Sequence, residues 1–92
     1  MNTEQRKVIK QAIKRYGFDM QITVCIEEMS ELIKELCKVK RRQTNPAAIA
    51  EEMADVKIML EQMQIIFDNS AEVERFCDAK IKRLKNRLIS GI

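Results

Sequence analysis

Apolar residues recur every three or four positions along most of this chain, which is the spacing of one face of an α-helix. Four such stretches predict helices over residues 3–16, 19–42, 46–67 and 70–89. Gly17 ends the first stretch, and Asn45-Pro46 opens the third as a cap followed by a first-turn proline. Asn69 and Glu72 predict a capping box for the fourth. The pattern predicts an all-α fold, a single domain resembling a four-helix bundle.

Each predicted helix carries an apolar stripe that we expect to face the core. The stripes are Val8, Ile9, Ala12, Ile13 and Tyr16; Cys25, Met29, Leu32, Leu36 and Val39; Ile49, Met53, Val56, Leu60, Met63 and Phe67; and Val73, Cys77, Ile81, Leu84 and Leu88. A chain of 92 residues buries only a modest fraction of its surface, so we expect it to associate with further copies of itself.

The composition excludes several classes of function. Three cysteines without a Cys-x-x-Cys pair indicate neither a disulfide framework nor a zinc knuckle, and they suggest a reduced, cytoplasmic setting. Histidine is absent, which removes imidazole-based triads and His-ligated metals. The sequence shows no leader and no apolar run of membrane-spanning length, so we expect a soluble protein without a membrane partner. Carboxylates, amines and water must carry any chemistry.

The most informative feature is an acidic phrase that occurs twice. "IEEMSEL" begins at Ile26, and "AEEMADV" begins 24 residues later at Ala50. On a helical wheel, Glu28 lies at one margin of the apolar stripe of the second helix, with Glu31 further out on the same side. Glu52 and Asp55 hold the same two places on the third helix. A single pair of this kind most often lies on a solvated helix face. Two pairs at the same angular offset from their apolar stripes indicate a shared role.

Packing the two helices antiparallel would bring both pairs of carboxylates together. Converging carboxylates repel one another unless a cation joins them. Oxygen ligands without nitrogen or sulfur suit Mg²⁺, with Mn²⁺ as an alternative. We therefore expect a divalent metal between the second and third helices.

The motifs "EEMSEL" and "EEMADV" on consecutive helices of a small all-α chain resemble the MazG-like branch of the all-α nucleoside triphosphate pyrophosphohydrolases. This resemblance implies a homo-oligomer, a homodimer or homotetramer, that hydrolyses a nucleoside triphosphate between its α and β phosphates. It implies that Glu28, Glu31, Glu52 and Asp55 bind Mg²⁺, and that the general base is one of these four. Gln21, seven residues before the acidic pair, is expected to contact base or sugar.

A pyrophosphate leaving group also needs cations from the protein. Lys80, Arg83 and Arg87 form one basic ridge beside the stripe of the fourth helix, and Lys38 closes the second helix on its acidic side. We expect these four residues to contact substrate phosphate. The alternative for each of them is an ordinary surface charge without a role in binding.

Two alternatives come from other functional classes. The first is a non-catalytic helical homo-oligomeric interaction module, in which the acids pair with the basic fourth helix of another subunit. The second is a nucleic-acid binder, suggested by the net charge of +3. The second is disfavoured because Glu72, Glu74 and Asp78 dilute the basic segment, so we expect no nucleic-acid partner.

Overall fold

The computed structural model describes residues 1–91, and all the regular structure in this range is helical. The helices are α1 (Thr3–Tyr16), α2 (Phe18–Lys40), α3 (Pro46–Ile66) and α4 (Ser70–Ser90). The predicted all-α, four-helix bundle-like fold is confirmed. The predicted and observed helix ends differ by at most two residues, the largest difference being the end of α2 at Lys40.

Side-chain caps begin two of the helices. Asn2 and Gln5 form a reciprocal capping box at α1, and Asn45 accepts a 3.1 Å hydrogen bond from the backbone of Ala48 at α3. The capping box predicted for Asn69 and Glu72 is wrong. Asn69 directly precedes α4, but its φ of −129° and ψ of 22° depart from the extended backbone of a capping residue, and its side chain makes no capping hydrogen bond.

Gly17 is the whole connection between α1 and α2. Its φ of 88° and ψ of 161° lie in a region that residues with a Cβ rarely adopt. The backbone N–H of Gly17 still donates to the carbonyl of Ile13, so the chain leaves α1 and enters α2 within one residue. The predicted helix end at this glycine is confirmed.

Helices α2 and α3 form an antiparallel hairpin, which is the centre of the domain. The side-chain amide of Gln21 donates a 2.7 Å hydrogen bond to Gln62, and both side chains are buried. Cys25 and Met59 are buried in the same hairpin, while α1 adds Ile9 and Ile13 to the core. A 3.3 Å ion pair between Arg6 and Glu61 also joins α1 to α3. Among the described helices, α4 packs against α3 alone.

The apolar stripes expected to be buried in α2 and α3 lie half outside the single-chain core. Met53 is 56% exposed and Leu60 is 46% exposed. The residues directly before them face the contact between α2 and α3: Glu52 is half-buried and Met59 is buried. On α2 the apolar stripe is likewise displaced by one residue from the buried face, as exposed Met29 follows half-buried Glu28. We call the exposed set the open face; its main residues are Ile26, Met29, Ile33, Leu36, Met53 and Leu60.

The chain is extended for its mass. Its solvent-accessible area is 7599 Å², whereas a compact monomer of 10.8 kDa exposes about 5,500 Å². Its radius of gyration is 16.2 Å, against about 12 Å for a compact domain of this length. Apolar side chains of the open face and of α4 are among those exposed, and Leu88 of α4 is 75% exposed. Within residues 1–91, no helix combines the length and apolar character that crossing a bilayer requires.

Candidate metal centre

The antiparallel register of α2 and α3 brings acidic residues of the two repeated motifs together. Glu28, Glu52 and Asp55 each place one carboxylate oxygen within 4.8 Å of those of the other two. All three side chains are half-buried. The register that pairs Gln21 with Gln62 also sets Glu28 opposite Asp55, because in an antiparallel helix pair each step forward along α2 is matched by a step back along α3. The cluster is therefore a product of the helix contact.

Glu52 supplies the clearest sign that this cluster is incomplete by itself. Its Oε2 atom is buried and has no hydrogen-bond partner in the described chain. A buried carboxylate oxygen without a partner is costly, since it has lost its water and gained no donor. A divalent cation is a natural partner for this oxygen, because the neighbouring donors are also carboxylates.

Burial and neighbouring negative charges both raise the pKa of two of these acids, Glu28 and Glu52. Burial raises the pKa of Glu28 above its usual value, and the negative charges of Asp55, Glu52 and Glu31 raise it further. Burial likewise raises the pKa of Glu52, with further contributions led by the charges of Asp55 and Glu31. The site therefore favours a bound positive charge, whether a proton or a metal ion.

Three of the four predicted metal ligands meet in this cluster, and Glu31 does not. Glu31 is exposed and lies at the rim, close enough for its charge to raise the pKa of Glu28 and of Glu52. Its role as a ligand stays a prediction.

Glu35 is an acidic neighbour that was not among the predicted site residues. It is half-buried, and its negative charge contributes to the raised pKa of Glu52. The ammonium group of Lys38 donates a 3.1 Å hydrogen bond to its Oε1 atom, which makes the two an ion pair. The signal was present in the sequence, because Glu28 and Glu35 are seven residues apart and so lie on one helix face. This contact with Glu35 holds Lys38 on the acidic side of α2, almost three helical turns beyond Glu28.

The other predicted substrate contacts lie elsewhere in the chain. Lys80, Arg83 and Arg87 are all exposed on α4, which does not pack against α2 in the described structure. None of the three forms an ion pair with an acid among residues 1–91. Gln21 is 6% exposed and its amide is engaged with Gln62. Contacts of these four residues with substrate stay predictions.

All three cysteines are free thiols, and burial raises the pKa of Cys25. None of them joins the acidic cluster, whose donors are all carboxylate oxygens. Such a set of donors suits hard divalent cations, Mg²⁺ or Mn²⁺, better than zinc or copper.

Comparisons with protein-family models, with curated proteins and with solved structures return no match to this chain.

Proposed function

We propose that this chain is a Mg²⁺-dependent nucleoside triphosphate pyrophosphohydrolase. It would cleave between the α and β phosphates and release a nucleoside monophosphate and pyrophosphate. The observation that supports this proposal most strongly is the convergence of Glu28, Glu52 and Asp55, with a buried oxygen of Glu52 that lacks a partner. The likeness of the two acidic motifs to MazG-like enzymes supports the choice of reaction.

In this proposal Glu28, Glu52 and Asp55 hold the metal, with Glu31 joining from the rim. Mg²⁺, or Mn²⁺ in its place, would neutralise phosphate charge and lower the pKa of a bound water molecule. Carboxylates from two helices fix the position of the ion, since α2 and α3 are joined by the buried pair of Gln21 and Gln62. A rigid support of this kind keeps ligand geometry constant during turnover.

The reaction also needs groups on the protein that move a proton and hold phosphate. The oxygen of a water molecule bonds to the α phosphorus, the bond from that phosphorus to the bridging oxygen breaks, and the water loses a proton. One carboxylate of the acidic group would accept this proton. Lys38 already lies on the acidic side of α2 through its contact with Glu35 and would bind an outer phosphate.

A non-catalytic role as an interaction module is the second candidate. The exposed basic ridge of Lys80, Arg83 and Arg87 favours it, because these charges lack acidic partners within the described chain. In that role the ridge would pair with the acidic cluster of another subunit. Metal dependence separates the two candidates, since ion pairs between subunits need no divalent ion.

The test is pyrophosphate release from a panel of ribonucleoside and deoxynucleoside triphosphates, with and without Mg²⁺. Glu28→Gln and Asp55→Asn change single oxygens of the cluster, and Glu27→Gln and Glu51→Gln are matched controls in the same motifs but on exposed positions. We expect Mg²⁺-dependent release that the first two variants abolish and the controls retain. Absence of release from every substrate, or equal activity in all four variants, would contradict the proposal.

A further inference from the structure

An apolar cleft lies between the end of α1 and the start of α2, and the proposed function leaves it unassigned. Its volume is about 490 Å³, within the range of small-molecule sites. It is lined by Tyr16, Met20, Gln21 and Val24. Tyr16 is 58% exposed and Met20 is 53% exposed, whereas Gln21 is buried. The cleft therefore offers an aromatic ring and a flexible thioether to a flat apolar group.

The cleft lies on the same face of α2 as the metal centre. Met20, Val24 and Glu28 follow one another at intervals of four residues. Residues at this spacing are neighbours on one helix face, with about 5–6 Å between the Cβ atoms of adjacent members. The cleft is therefore about one helical turn from a carboxylate of the acidic cluster.

The same face continues to the lysine that would bind an outer phosphate. Glu35 lies seven residues after Glu28, about 10 Å along the helix axis, and accepts a 3.1 Å hydrogen bond from the ammonium group of Lys38. The apolar cleft, the carboxylates and the lysine thus follow one another along α2. The base, the α phosphate and the outer phosphates follow one another in the same order along a nucleoside triphosphate.

We propose that this cleft is the subsite for the nucleobase, with the ring of Tyr16 stacking on the base. The inference rests on the proposed function, since binding of the phosphates at the metal centre directs the base toward the cleft. Met20 and Val24 would supply further apolar contacts. Stacking on an aromatic ring is possible for every base, so Tyr16 would provide affinity for a base without choosing among bases.

A second apolar cleft, about 250 Å³ in volume, lies between α1 and α3 and is the rival location. One of its residues, Ile58, is one turn from Asp55, so distance from the metal centre does not separate the two clefts. The lining of the second cleft includes no aromatic ring; it consists of Met1, Gln5, Val8, Ile9 and Ile58. The presence of Tyr16 therefore favours the cleft between α1 and α2.

The test is binding of two kinds of probe in the presence of Mg²⁺, measured by calorimetry. The first kind is the α,β-methylene analogue of ATP or of UTP, whichever binds more tightly, which cannot be hydrolysed between the α and β phosphates. The second is inorganic tripolyphosphate, which has no base or sugar. Tyr16→Ala removes the ring, Tyr16→Phe keeps it, and Phe18→Ala removes a neighbouring exposed ring outside the cleft.

We expect Tyr16→Ala to weaken binding of the nucleotide analogue about fivefold or more and to leave tripolyphosphate binding unchanged. Tyr16→Phe and Phe18→Ala should bind both probes as the wild type does. Unchanged analogue binding in Tyr16→Ala, or equal weakening by Phe18→Ala, would overturn the base subsite, while Mg²⁺-dependent binding of tripolyphosphate would still support the proposed function. A wild type that binds neither probe would overturn both proposals.

Tyr16 also reports on the cleft without any substitution. The chain has one tyrosine and no tryptophan, so its tyrosine fluorescence comes from Tyr16 alone. We expect the analogue to quench this emission, after correction for absorbance by the base, and tripolyphosphate to leave it unchanged. Equal responses to the two probes, or no response to a bound analogue, would contradict stacking at Tyr16.

Discussion

The amide of Gln21 donates a 2.7 Å hydrogen bond to Gln62 inside the contact between α2 and α3, and this pair fixes the register that sets Glu28 opposite Asp55. Both glutamines are buried, at 6% and 5% exposure, among otherwise apolar core residues. A buried amide pair is specific about register, because a shift of either helix leaves one amide without its partner. The pair therefore stabilises the hairpin and aligns the acidic motifs.

Replacing one glutamine of this pair should reduce the free energy of unfolding more than replacing both. Gln62→Leu leaves the Gln21 amide buried without its acceptor, and we expect a loss of about 1–3 kcal/mol in the free energy of unfolding. Gln21→Leu/Gln62→Leu removes both polar groups and should recover most of that loss. Chemical denaturation of the wild type, Gln21→Leu, Gln62→Leu and the double variant measures the difference, and a double variant that loses the sum of the two single effects would contradict it.

The acidic cluster should reduce the stability of the metal-free chain. Burial and like charge oppose the ionised form of Glu52, so Glu52→Gln should raise the melting temperature in the presence of a chelator. Glu27→Gln is the matched control, since Glu27 is exposed and its charge is not among those that raise the pKa of Glu28 or Glu52, and it should change the melting temperature little. Equal shifts for the two variants would indicate that the cluster carries no special repulsion.

The metal-free chain should also respond to pH through these acids. The pKa values of Glu28 and Glu52 are raised in the folded state, so the folded chain binds protons more tightly than the unfolded chain. Their stabilising contribution is fully present below the usual pKa of glutamate and is lost as pH rises through the raised values.

Melting curves at a series of pH values, with a chelator present, measure this effect. The melting temperature of the wild type should fall by more than that of Glu28→Gln/Glu52→Gln as pH rises from the usual pKa of glutamate toward neutrality. Parallel curves for the two proteins would contradict the assignment. Addition of Mg²⁺ should restore stability at neutral pH and have little effect in acid, where protons compete with the metal.

Lys38 provides a test of substrate binding that is separate from metal binding. If Lys38 binds an outer phosphate, Lys38→Met should raise KM by about tenfold or more, the cost of one charge-assisted hydrogen bond. Lys40→Met is the control, because Lys40 is an exposed lysine in the same last turn of α2. Equal KM values for the two variants would remove Lys38 from the proposed site.

The sequence was most informative where local chemistry decides structure. Asn45-Pro46 and Gly17 marked helix boundaries correctly, because a capping side chain, a first-turn proline and a positive φ act within a few residues. Asn69 has the residue type of a cap as well, but its backbone conformation prevents the capping hydrogen bond. That conformation depends on how α4 leaves α3, which the residue type does not encode.

Helical periodicity was less informative about the partner of each apolar stripe. The stripe from Met53 to Phe67 was expected to face the core, whereas the single chain packs the neighbouring face of α3, with Met59 and Gln62, against α2. Periodicity reports that a face will be covered and does not say by which chain. It also predicted that acids from both motifs would lie near one another, but could not distinguish clustered Glu52 from exposed Glu31.

The most direct test of the central claim is titration of the metal-free protein with Mg²⁺ by calorimetry, for the wild type, Asp55→Asn and Glu51→Gln. Asp55 belongs to the cluster, and Glu51 does not. We predict that the wild type and Glu51→Gln bind Mg²⁺ alike and that Asp55→Asn binds it at least about tenfold more weakly, as expected on loss of a charged ligand. Failure of the wild type to bind Mg²⁺, or the same affinity in all three proteins, would contradict the account.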